Sequence, residues 1–315
     1  MAVLLAYFSV VLIWATTPLT IQWSSDSLSF IAAVLLRMSI ALALGLAINA
    51  AWQRKLFAQK GVWRVYAAGA IGAFPNMPVV YWSAQFIPSG LVAVVFAMSP
   101  FIMGLISWLL LKHNPFTARR VVALLLALLG LLIIFYHQLQ FDLRAAYGIA
   151  GILLSCFLFG VSSVLVKKIN VKTDAFNQAL GSVLFSLPCL FLMWWYMDGH
   201  IPSTISVKSL AAIGYLAVFG SLVGAALFFY VLGHMSPTAV SLITFMTPVL
   251  ALILGSWVAN ESLGMQLWCG AGLVVTALLL YLDLPTENWF FARLRNSGWQ
   301  DDPLQKIKED IARLK

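Results

Sequence analysis

The chain has 315 residues, of which 62% are hydrophobic and only 10% are charged, and its mean hydropathy is +0.94. A water-soluble domain of this length does not bury so much apolar surface, so the composition excludes an ordinary soluble protein and predicts one solvated by lipid. The net charge of +8 does not indicate a nucleic-acid partner, because the basic residues are scattered at the ends of apolar segments, as membrane topology requires.

Ten apolar segments, each long enough to cross a bilayer as a helix of roughly 20 residues, predict ten membrane spans. The first lacks a basic n-region and a small-residue cleavage site, so we interpret it as a retained span and not as a signal peptide. The polar stretch 137–144 separates five spans from five, and an odd number in each half requires that the halves enter the membrane in opposite directions. In chain order the predicted spans cover residues 3–22, 28–50, 65–85, 89–111, 117–136, 146–167, 175–197, 209–232, 237–259 and 263–283.

One passage occurs twice, once in each half of the chain. Residues 92–108 read VAVVFAMSPFIMGLISW, and residues 240–257 read VSLITFMTPVLALILGSW. The tripeptide MSP at 98–100 corresponds to MTP at 246–248. A duplicated apolar segment with a proline near its middle predicts a transporter built from two related halves.

Lysine and arginine lie mostly on one side of the predicted spans. With the N-terminus in the cytoplasm, the outer connections hold only Arg144 and Lys208, and the other basic residues outside the spans fall on the cytoplasmic side. This asymmetry predicts cytoplasmic N- and C-termini. The polar tail, 285–315, interleaves aromatic and basic residues and predicts a cytoplasmic amphipathic segment at the lipid surface.

Prolines inside the spans free backbone groups that lipid cannot satisfy, so they are tolerated beside protein or a wet cavity. The third span is the richest, because Asn76 lies between Pro75 and Pro78 near the midplane. This pattern predicts a substrate-facing kink with a hydrogen-bonding tip. The alternative is a packing kink in which Asn76 bonds to a neighbouring carbonyl. The prolines predicted to kink or gate the spans are Pro75, Pro78, Pro100 and Pro248.

Polar and aromatic residues recur on single helix faces, as expected for faces directed into a membrane bundle. In the sixth span, Ser155, Phe159 and Ser162 follow i, i+4, i+7 spacing. A single Ser or Thr equally well joins helices or bonds to its own backbone, so the prediction rests on the set. The predicted substrate-binding residues are Trp14, Thr17, Arg37, Asn76, Tyr81, Ser99, Phe159, Ser162, Ser221, Tyr230, Thr244 and Thr247.

Arg37 is the only charged residue deep in a predicted span. About nine residues, on the order of 13 Å of helix, separate it from the outer end of its helix. An intramembrane charge of this kind predicts either a functional site or a structural role in which the guanidinium caps carbonyls of broken helices. Both interpretations stay open at this point.

The chain lacks several kinds of reactive residue pattern. No Asp or Glu lies in the middle of a predicted span, whereas proton-driven exporters usually need a carboxylate inside the membrane. There is no phosphate-binding GxxxxGK motif and no metalloprotease, hydrolase or paired Cys/His pattern. We therefore expect no enzyme activity, no direct use of ATP, no metal and no cofactor.

Several of these residues resemble the repeat of EamA-type exporters, the ten-helix branch of the drug/metabolite transporter superfamily. The resemblance covers roughly residues 1–284, as two tandem repeats. Asn114 departs from it, since Glu is usual there, and the second-half counterpart of Arg37, near Val183, is apolar. The residues that carry the resemblance are Trp14 with Thr16 and Thr17, Arg37, the stretch YWSAQFIPSGLVAVVFAMSP at 81–100, and Glu261, Ser262, Leu263 and Gly264 followed by Gly270.

The resemblance implies an all-α membrane protein with ten transmembrane helices, arranged as two inverted five-helix repeats at 1–136 and 145–284. The first four helices of each repeat would line a central cavity. The fifth and tenth helices would be peripheral, in a monomer or in a weak homodimer that they mediate. The implied task is efflux of small metabolites or drugs across a bacterial inner membrane.

The sequence thus predicts a secondary transporter that exports small amphipathic metabolites, amino acids or related compounds, by alternating access through a central cavity. Its partners are a small-molecule substrate and the lipid bilayer. One buried cation without a buried anion argues against a cationic drug and supplies too little positive charge for a nucleotide sugar. The alternative is a non-transporting membrane protein, either a lipid-handling factor or an assembly partner, against which the central prolines argue.

Overall fold

The computed structural model describes residues 2–111, 117–141, 144–169, 171, 173–200, 202–234, 237–259 and 264–282. The regular structure in these ranges is entirely helical, without a strand, which confirms the predicted all-α class. The predicted tail, 285–315, lies outside the described residues, as do Asn114 and Glu261.

The described residues of the first half form seven helices. Ser29 caps the second of them, because its hydroxyl accepts a hydrogen bond from the Ala32 amide at 3.2 Å. The helices are α1 (Ala2–Ser24), α2 (Phe30–Ala51), α3 (Val62–Ala70), α4 (Asn76–Ser83), α5 (Ser89–Phe96), α6 (Ser99–Leu111) and α7 (Ala118–Phe141).

The described residues of the second half form six further helices and one π-helical segment. Asp174 and Ser206 cap two of these helices in the same way as Ser29. The elements are α8 (Ala145–Ile169), α9 (Ala175–Met197), α10 (Val207–Tyr215), the π-helical segment (Leu216–Val223), α11 (Gly224–His234), α12 (Pro237–Val258) and α13 (Met265–Leu282).

Six helical stretches of the described residues are long and apolar enough to cross a bilayer. They are Val3–Ser24, Phe30–Ala51, Ser89–Leu110, Ala145–Ile169, Ala175–Met197 and Val207–Phe228. Their outer surfaces carry exposed Leu, Phe and Trp side chains. A multi-pass membrane protein follows from these lengths and surfaces.

Three predicted spans do not form one continuous helix with a proline kink: two are divided into separate helices, and one contains a π-helical segment. The third divides into α3 and α4, with Pro75 immediately before α4. The fourth divides into α5 and α6, and Pro100 is the second residue of α6, where its missing amide costs no hydrogen bond. The eighth contains the π-helical segment, which the sequence pattern does not predict. Pro248, by contrast, lies within the continuous helix α12.

The packing of the helices repeats between the two halves. α2 packs against α9, and α7 packs against α13. α1 packs against α11 and α12, and α8 likewise packs against α4 and α6. α7 and α13 approach closely at Gly130 and Gly270, where an added Cβ on either glycine would meet the other's carbonyl oxygen at 2.7–2.8 Å.

Candidate substrate site

The guanidinium of Arg37 is the centre of the first candidate site. Arg37 lies in the middle of α2, and the residue is only 3% exposed. Its Nε donates to Ser221 Oγ at 2.8 Å, and its Nη1 donates to Tyr81 Oη at 3.3 Å. The structure therefore brings together three residues that the sequence pattern selected, from α2, α4 and the π-helical segment.

The π-helical segment makes room for this guanidinium. Gly220 precedes Ser221, and a Cβ on Gly220 would come within 2.9 Å of Nη2 of Arg37. A glycine here lets the backbone approach the charged group closely. π-helical turns are rare and occur frequently at functional sites. The segment thus positions both the hydroxyl that binds Arg37 and the space that Arg37 fills.

The charge of Arg37 has no carboxylate partner within 4.0 Å among the described residues, whose ion pairs join Arg54 to Asp174 and Lys208 to Asp26. Both of its hydrogen bonds go to hydroxyl groups and neither goes to a main-chain carbonyl. The Tyr81 ring lies 5.9 Å from Cζ of Arg37, which adds a weak cation–π contact. These contacts do not match the structural alternative, in which the guanidinium caps broken-helix carbonyls.

A cleft lies where α1 and α4 end, and it shares Tyr81 with the Arg37 site. Its volume is about 320 Å³, and Tyr81 forms part of its lining. Gln22 crosses from α1 to α4, where its Nε2 donates to the carbonyls of Ala84 and Ile87 at 3.2 and 2.9 Å. We call this cleft the vestibule; its lining residues are Ile21, Gln22, Ser25, Asp26, Tyr81, Ala84 and Gln85.

An aromatic cluster forms the second candidate site. The Trp14 ring of α1 lies 4.9 Å from the Phe228 ring of α11 and 6.5 Å from the Phe159 ring of α8, measured between centroids. Phe159 and Phe228 are 6.4 Å apart. All three rings are half-buried, and Tyr230 packs with Trp14 and Phe228 against the apolar residues around Tyr7 and Ile243. The cluster offers apolar surface at the junction of three helices.

Several predicted polar residues close helix breaks instead of facing the two sites. Asn76 Nδ2 donates to the Gly72 carbonyl at 3.0 Å, and its Oδ1 accepts from Ser155 Oγ at 2.5 Å. Ser99 donates to the Phe96 carbonyl at 2.6 Å, between α5 and α6. Ser162 donates to the Ala68 carbonyl at 2.8 Å, near the end of α3. The Asn76 contacts are those that the packing alternative predicts.

The predicted threonines also bond to their own helices. Thr17 donates to the Ile13 carbonyl and Thr247 to the Ile243 carbonyl, both at 2.6 Å. Such bonds within a helix are common and do not by themselves indicate a ligand. The side chain of Thr244 lies outside the described residues.

The structure also identifies site residues that the sequence pattern did not select. Phe228 completes the aromatic cluster, and Gln22 and Gln85 line the vestibule. Gln22 and Gln85 each stand near the end of an apolar segment, where an amide is normally counted as a loop residue. Phe228 is one of many aromatic residues, so composition gave no reason to choose it.

The EamA-like transporter family provides the deciding comparison. Its sequence model matches residues 1–136 and again residues 146–282. This chain belongs to the EamA-like transporter family. The expected resemblance is thereby confirmed, and the protein is a membrane transporter and not an enzyme. The same match favours the transporter over the non-transporting alternative.

Relatives of this EamA-like transporter come from diverse organisms. It is 26% identical over 224 residues to Protein PecM of Dickeya dadantii, covering 71% of this chain and 74% of that protein. It is 24% identical over 237 residues to the uncharacterized transporter YvbV of Bacillus subtilis, covering 70% and 72%. A 75-residue stretch, 24% of each chain, is 32% identical to the uncharacterized inner membrane transporter YedA of Escherichia coli K12.

A solved crystal structure of another protein shares the fold. It superposes with a TM-score of 0.61, covers 89% of this chain and 96% of that chain, and is 19% identical. At this identity the likeness concerns the fold alone.

Both candidate sites of this EamA-like transporter combine residues from the two family matches. Arg37 and Tyr81 come from the first match and Ser221 from the second. Trp14 likewise meets Phe159 and Phe228 across the boundary between the matches. A relative movement of the two halves therefore changes both sites at once.

Two ion pairs cross the same boundary at opposite ends of the bundle. Lys208 Nζ lies 2.7 Å from Asp26 Oδ2, next to the vestibule. Arg54 Nη1 lies 2.9 Å from Asp174 Oδ2. Asp26 precedes α2 and Arg54 follows it, so about 30 Å of helix separates the two pairs. We call them the Asp26 pair and the Asp174 pair.

Proposed function

We propose that this transporter exports small amphipathic metabolites, amino acids or related compounds, by alternating access through a central cavity. One observation carries the proposal: a buried cation and a cluster of aromatic rings both lie where the two family matches meet. Together they offer the few polar groups and the apolar surface that small-molecule sites combine. The vestibule provides an approach from one end of the bundle.

The proposed architecture has ten spans in two inverted five-helix repeats, 1–136 and 145–284, with 285–315 as a cytoplasmic tail. In this architecture the third span consists of α3 and α4, and the fourth consists of α5 and α6. The eighth span consists of α10, the π-helical segment and α11. The repeated packing of α1 and α8 supports this division. The two ion pairs also support this division. In each pair the aspartate follows the first span of one repeat, and the cation follows the second span of the other repeat.

The proposed orientation places both termini in the cytoplasm of a bacterial cell. The predicted connections on that side hold most of the lysines and arginines, in agreement with the positive-inside rule. The Asp174 pair then faces the cytoplasm, and the Asp26 pair with the vestibule faces outward. The inner membrane is the proposed location, in keeping with the name of the Escherichia coli relative YedA.

The proposed mechanism moves the two halves against each other around the central residues. Opening toward the cytoplasm separates the Asp174 pair, and opening outward separates the Asp26 pair. Both pairs are half-exposed, so each stabilises its closed end by only about 0.2–1 kcal/mol. Weak closures of this kind suit a carrier that must populate both states, and substrate binding shifts the populations.

The proposed assembly is a monomer or a weak homodimer through the fifth and tenth spans. These correspond to α7 and α13, which pack on each other at their glycines. The opposite face of α7 is apolar and exposed, which suits contact with lipid or with a second copy. Its exposed residues include Leu125, Leu128, Leu129 and Leu132.

Counterflow in proteoliposomes tests the proposed function. Vesicles loaded with one unlabelled amino acid at a time should accumulate the same labelled amino acid transiently for at least one member of a panel. Trp14→Ala should weaken this exchange by about 5–30-fold, the effect of losing one or two kcal/mol of aromatic contact.

The matched control is Trp195→Ala, since the Trp195 side chain is 67% exposed on α9. Its exchange rate should equal that of the wild type. Equal loss of exchange in both variants, or no exchange with any panel member, would contradict the proposal.

A further inference from the structure

The guanidinium of Arg37 carries more hydrogen-bonding capacity than the described protein uses. An arginine side chain has five N–H donors. Ser221 takes the one on Nε, and Tyr81 takes one of the two on Nη1. The second donor on Nη1 and both donors on Nη2 are not used by the described residues. A buried cation with neutral partners alone is costly, because hydroxyl groups orient it without balancing its charge.

We infer that Arg37 binds the carboxylate of the transported metabolite, an inference that rests on the proposed transport function. A carboxylate pairs with two neighbouring guanidinium N–H groups through two parallel hydrogen bonds. The donors left on Nη1 and Nη2 meet that requirement. Ser221 and Tyr81 are then positioning residues, since each accepts one hydrogen bond from the guanidinium.

The charge balance selects a carboxylate over other anions. Arg37 is the one cation buried inside the described helices, so a single negative charge neutralises the site. A phosphate ester carries nearly two negative charges and calls for additional cations. An uncharged amide accepts through one oxygen only and leaves the guanidinium charge unbalanced. The class of substrate that fits is therefore a small metabolite with one carboxylate.

The vestibule gives this carboxylate a route to Arg37. Tyr81 lies between the two, because the residue forms part of the vestibule lining and its hydroxyl accepts from Nη1. Tyr81 is fully buried, so the structure is closed between vestibule and guanidinium. A rotation of the Tyr81 side chain would open this connection and let the carboxylate reach the donors left on Nη1 and Nη2.

The aromatic cluster accounts for the rest of the substrate. Trp14, Phe159 and Phe228 bring apolar rings together from α1, α8 and α11. A metabolite with a carboxylate at one end and an apolar side chain at the other matches this pair of surfaces. Decarboxylated or amidated analogues retain the apolar part and lose the contact with Arg37.

Competition experiments with matched ligands test the inference. Counterflow of leucine and of phenylalanine is measured in proteoliposomes with competitors that differ at one group. The competitors are the parent amino acid, its amide, and the corresponding amine, namely leucinamide and 3-methylbutylamine or phenylalaninamide and phenethylamine. The acid should compete at least about tenfold more strongly than the amide or the amine, as expected for loss of a charged bidentate contact.

Two variants at the site sharpen the test. Arg37→Gln should remove the preference for the acid, and Arg37→Lys should restore it only in part, because an ammonium lacks the planar fork. Gly220→Ala places a methyl group at the position now 2.9 Å from Nη2 and should weaken acid binding with Arg37 still present. The control is Arg64→Gln, an exposed cation on α3, which should leave the preference unchanged.

A binding measurement covers any variant that transports poorly. Ligand-induced increases in the melting temperature of the purified protein report binding without transport. The acid should stabilise the wild type more than the amide does, and should lose this advantage in Arg37→Gln. Equal competition by acid and amide in the wild type would overturn the inference and leave the proposed transport function intact. No exchange of any amino acid would instead overturn the proposed function, and the inference with it.

Discussion

Arg54 Nη1 lies 2.9 Å from Asp174 Oδ2, and this ion pair ties the segment after α2 to the N-cap of α9. The Arg54 guanidinium also lies 4.8 Å from the Trp52 ring. At the other end of α2, Lys208 pairs with Asp26 and lies 5.1 Å from the Trp23 ring. Each end of the bundle thus holds one aspartate, one cation and one tryptophan. The first half supplies the cation at one end and the aspartate at the other, and it supplies the tryptophan at both.

Removing one aspartate should open one end only. Asp174→Asn is expected to lower labelling of a cysteine introduced at Gln85 in the vestibule, since it favours the state open at the Arg54 end. Asp26→Asn is expected to raise that labelling. Because an exposed pair contributes about 0.2–1 kcal/mol, each change should be at most about fivefold. The measurement is the rate of maleimide labelling in a background without native cysteines.

The charge-swapped variant Arg54→Asp with Asp174→Arg provides the control for this prediction, because it restores an ion pair at the same place. Its labelling rate should return to the wild-type value. Changes in the same direction in both single variants would contradict independent closures at the two ends.

Topology is tested by labelling from one side of intact cells. Val207→Cys, at a residue that is 82% exposed beside the Asp26 pair, should react with a membrane-impermeant maleimide added outside. Lys60→Cys, exposed between α2 and α3, should react only after the cells are permeabilised. Labelling of residue 60 from outside would reverse the proposed orientation.

Asn76→Ala should destabilise the protein by about 1–3 kcal/mol. The substitution leaves the Ser155 hydroxyl and the Gly72 carbonyl without their partner in a buried environment. Thermal unfolding in detergent measures this loss. Ser155→Ala is the matched variant, and the double variant should lose less than the sum of the single losses, because both remove the same contact. Full stability of Asn76→Ala together with lost flux would instead favour a direct role in substrate binding.

Energy coupling gives a further prediction. The described helices carry no Asp or Glu in their interiors, so we expect facilitated diffusion or substrate exchange. An imposed pH gradient should leave initial flux unchanged when substrate ionisation and membrane potential are held constant. Uphill accumulation driven by the gradient, and its loss in Glu261→Gln, would identify proton antiport with Glu261 as the carrier of the proton.

Hydrophobic length and proline position predicted the helical membrane class, because a bilayer imposes the same length on every span. The sequence pattern placed Trp14 and Phe159 separately on inward helix faces but did not predict that their rings would meet. The breaks at residues 71–75 and 97–98 were harder to place. A proline marks a weak point in a helix, but the side chains that satisfy the freed carbonyls decide where the helix ends.

Residues that act through tertiary contacts left less trace in the sequence. The π-helical segment has no proline, and its one glycine, Gly220, forms an ordinary helix-packing motif with Gly224 at the start of α11. Gln22 joins α1 to carbonyls more than sixty residues away, a contact that no local pattern encodes. The sequence pattern therefore selected polar residues that lie in the interior of the bundle. It did not distinguish those that contact Arg37 from those that bond to carbonyls at helix breaks.

The two copies of the repeated passage bend differently, since the first is divided at Ala97 and Met98 and the second continues through Pro248. For a carrier that alternates between two end states, this asymmetry predicts end states of unequal free energy. Such a carrier binds its substrate with different apparent affinities on the two sides of the membrane. Without an energy source, the ratio of maximal rate to half-saturating concentration must still be equal on both sides. The expected kinetic result of the asymmetry between the divided first copy and the continuous helix α12 is therefore an apparent affinity that differs between the two sides, with an equal ratio of maximal rate to half-saturating concentration.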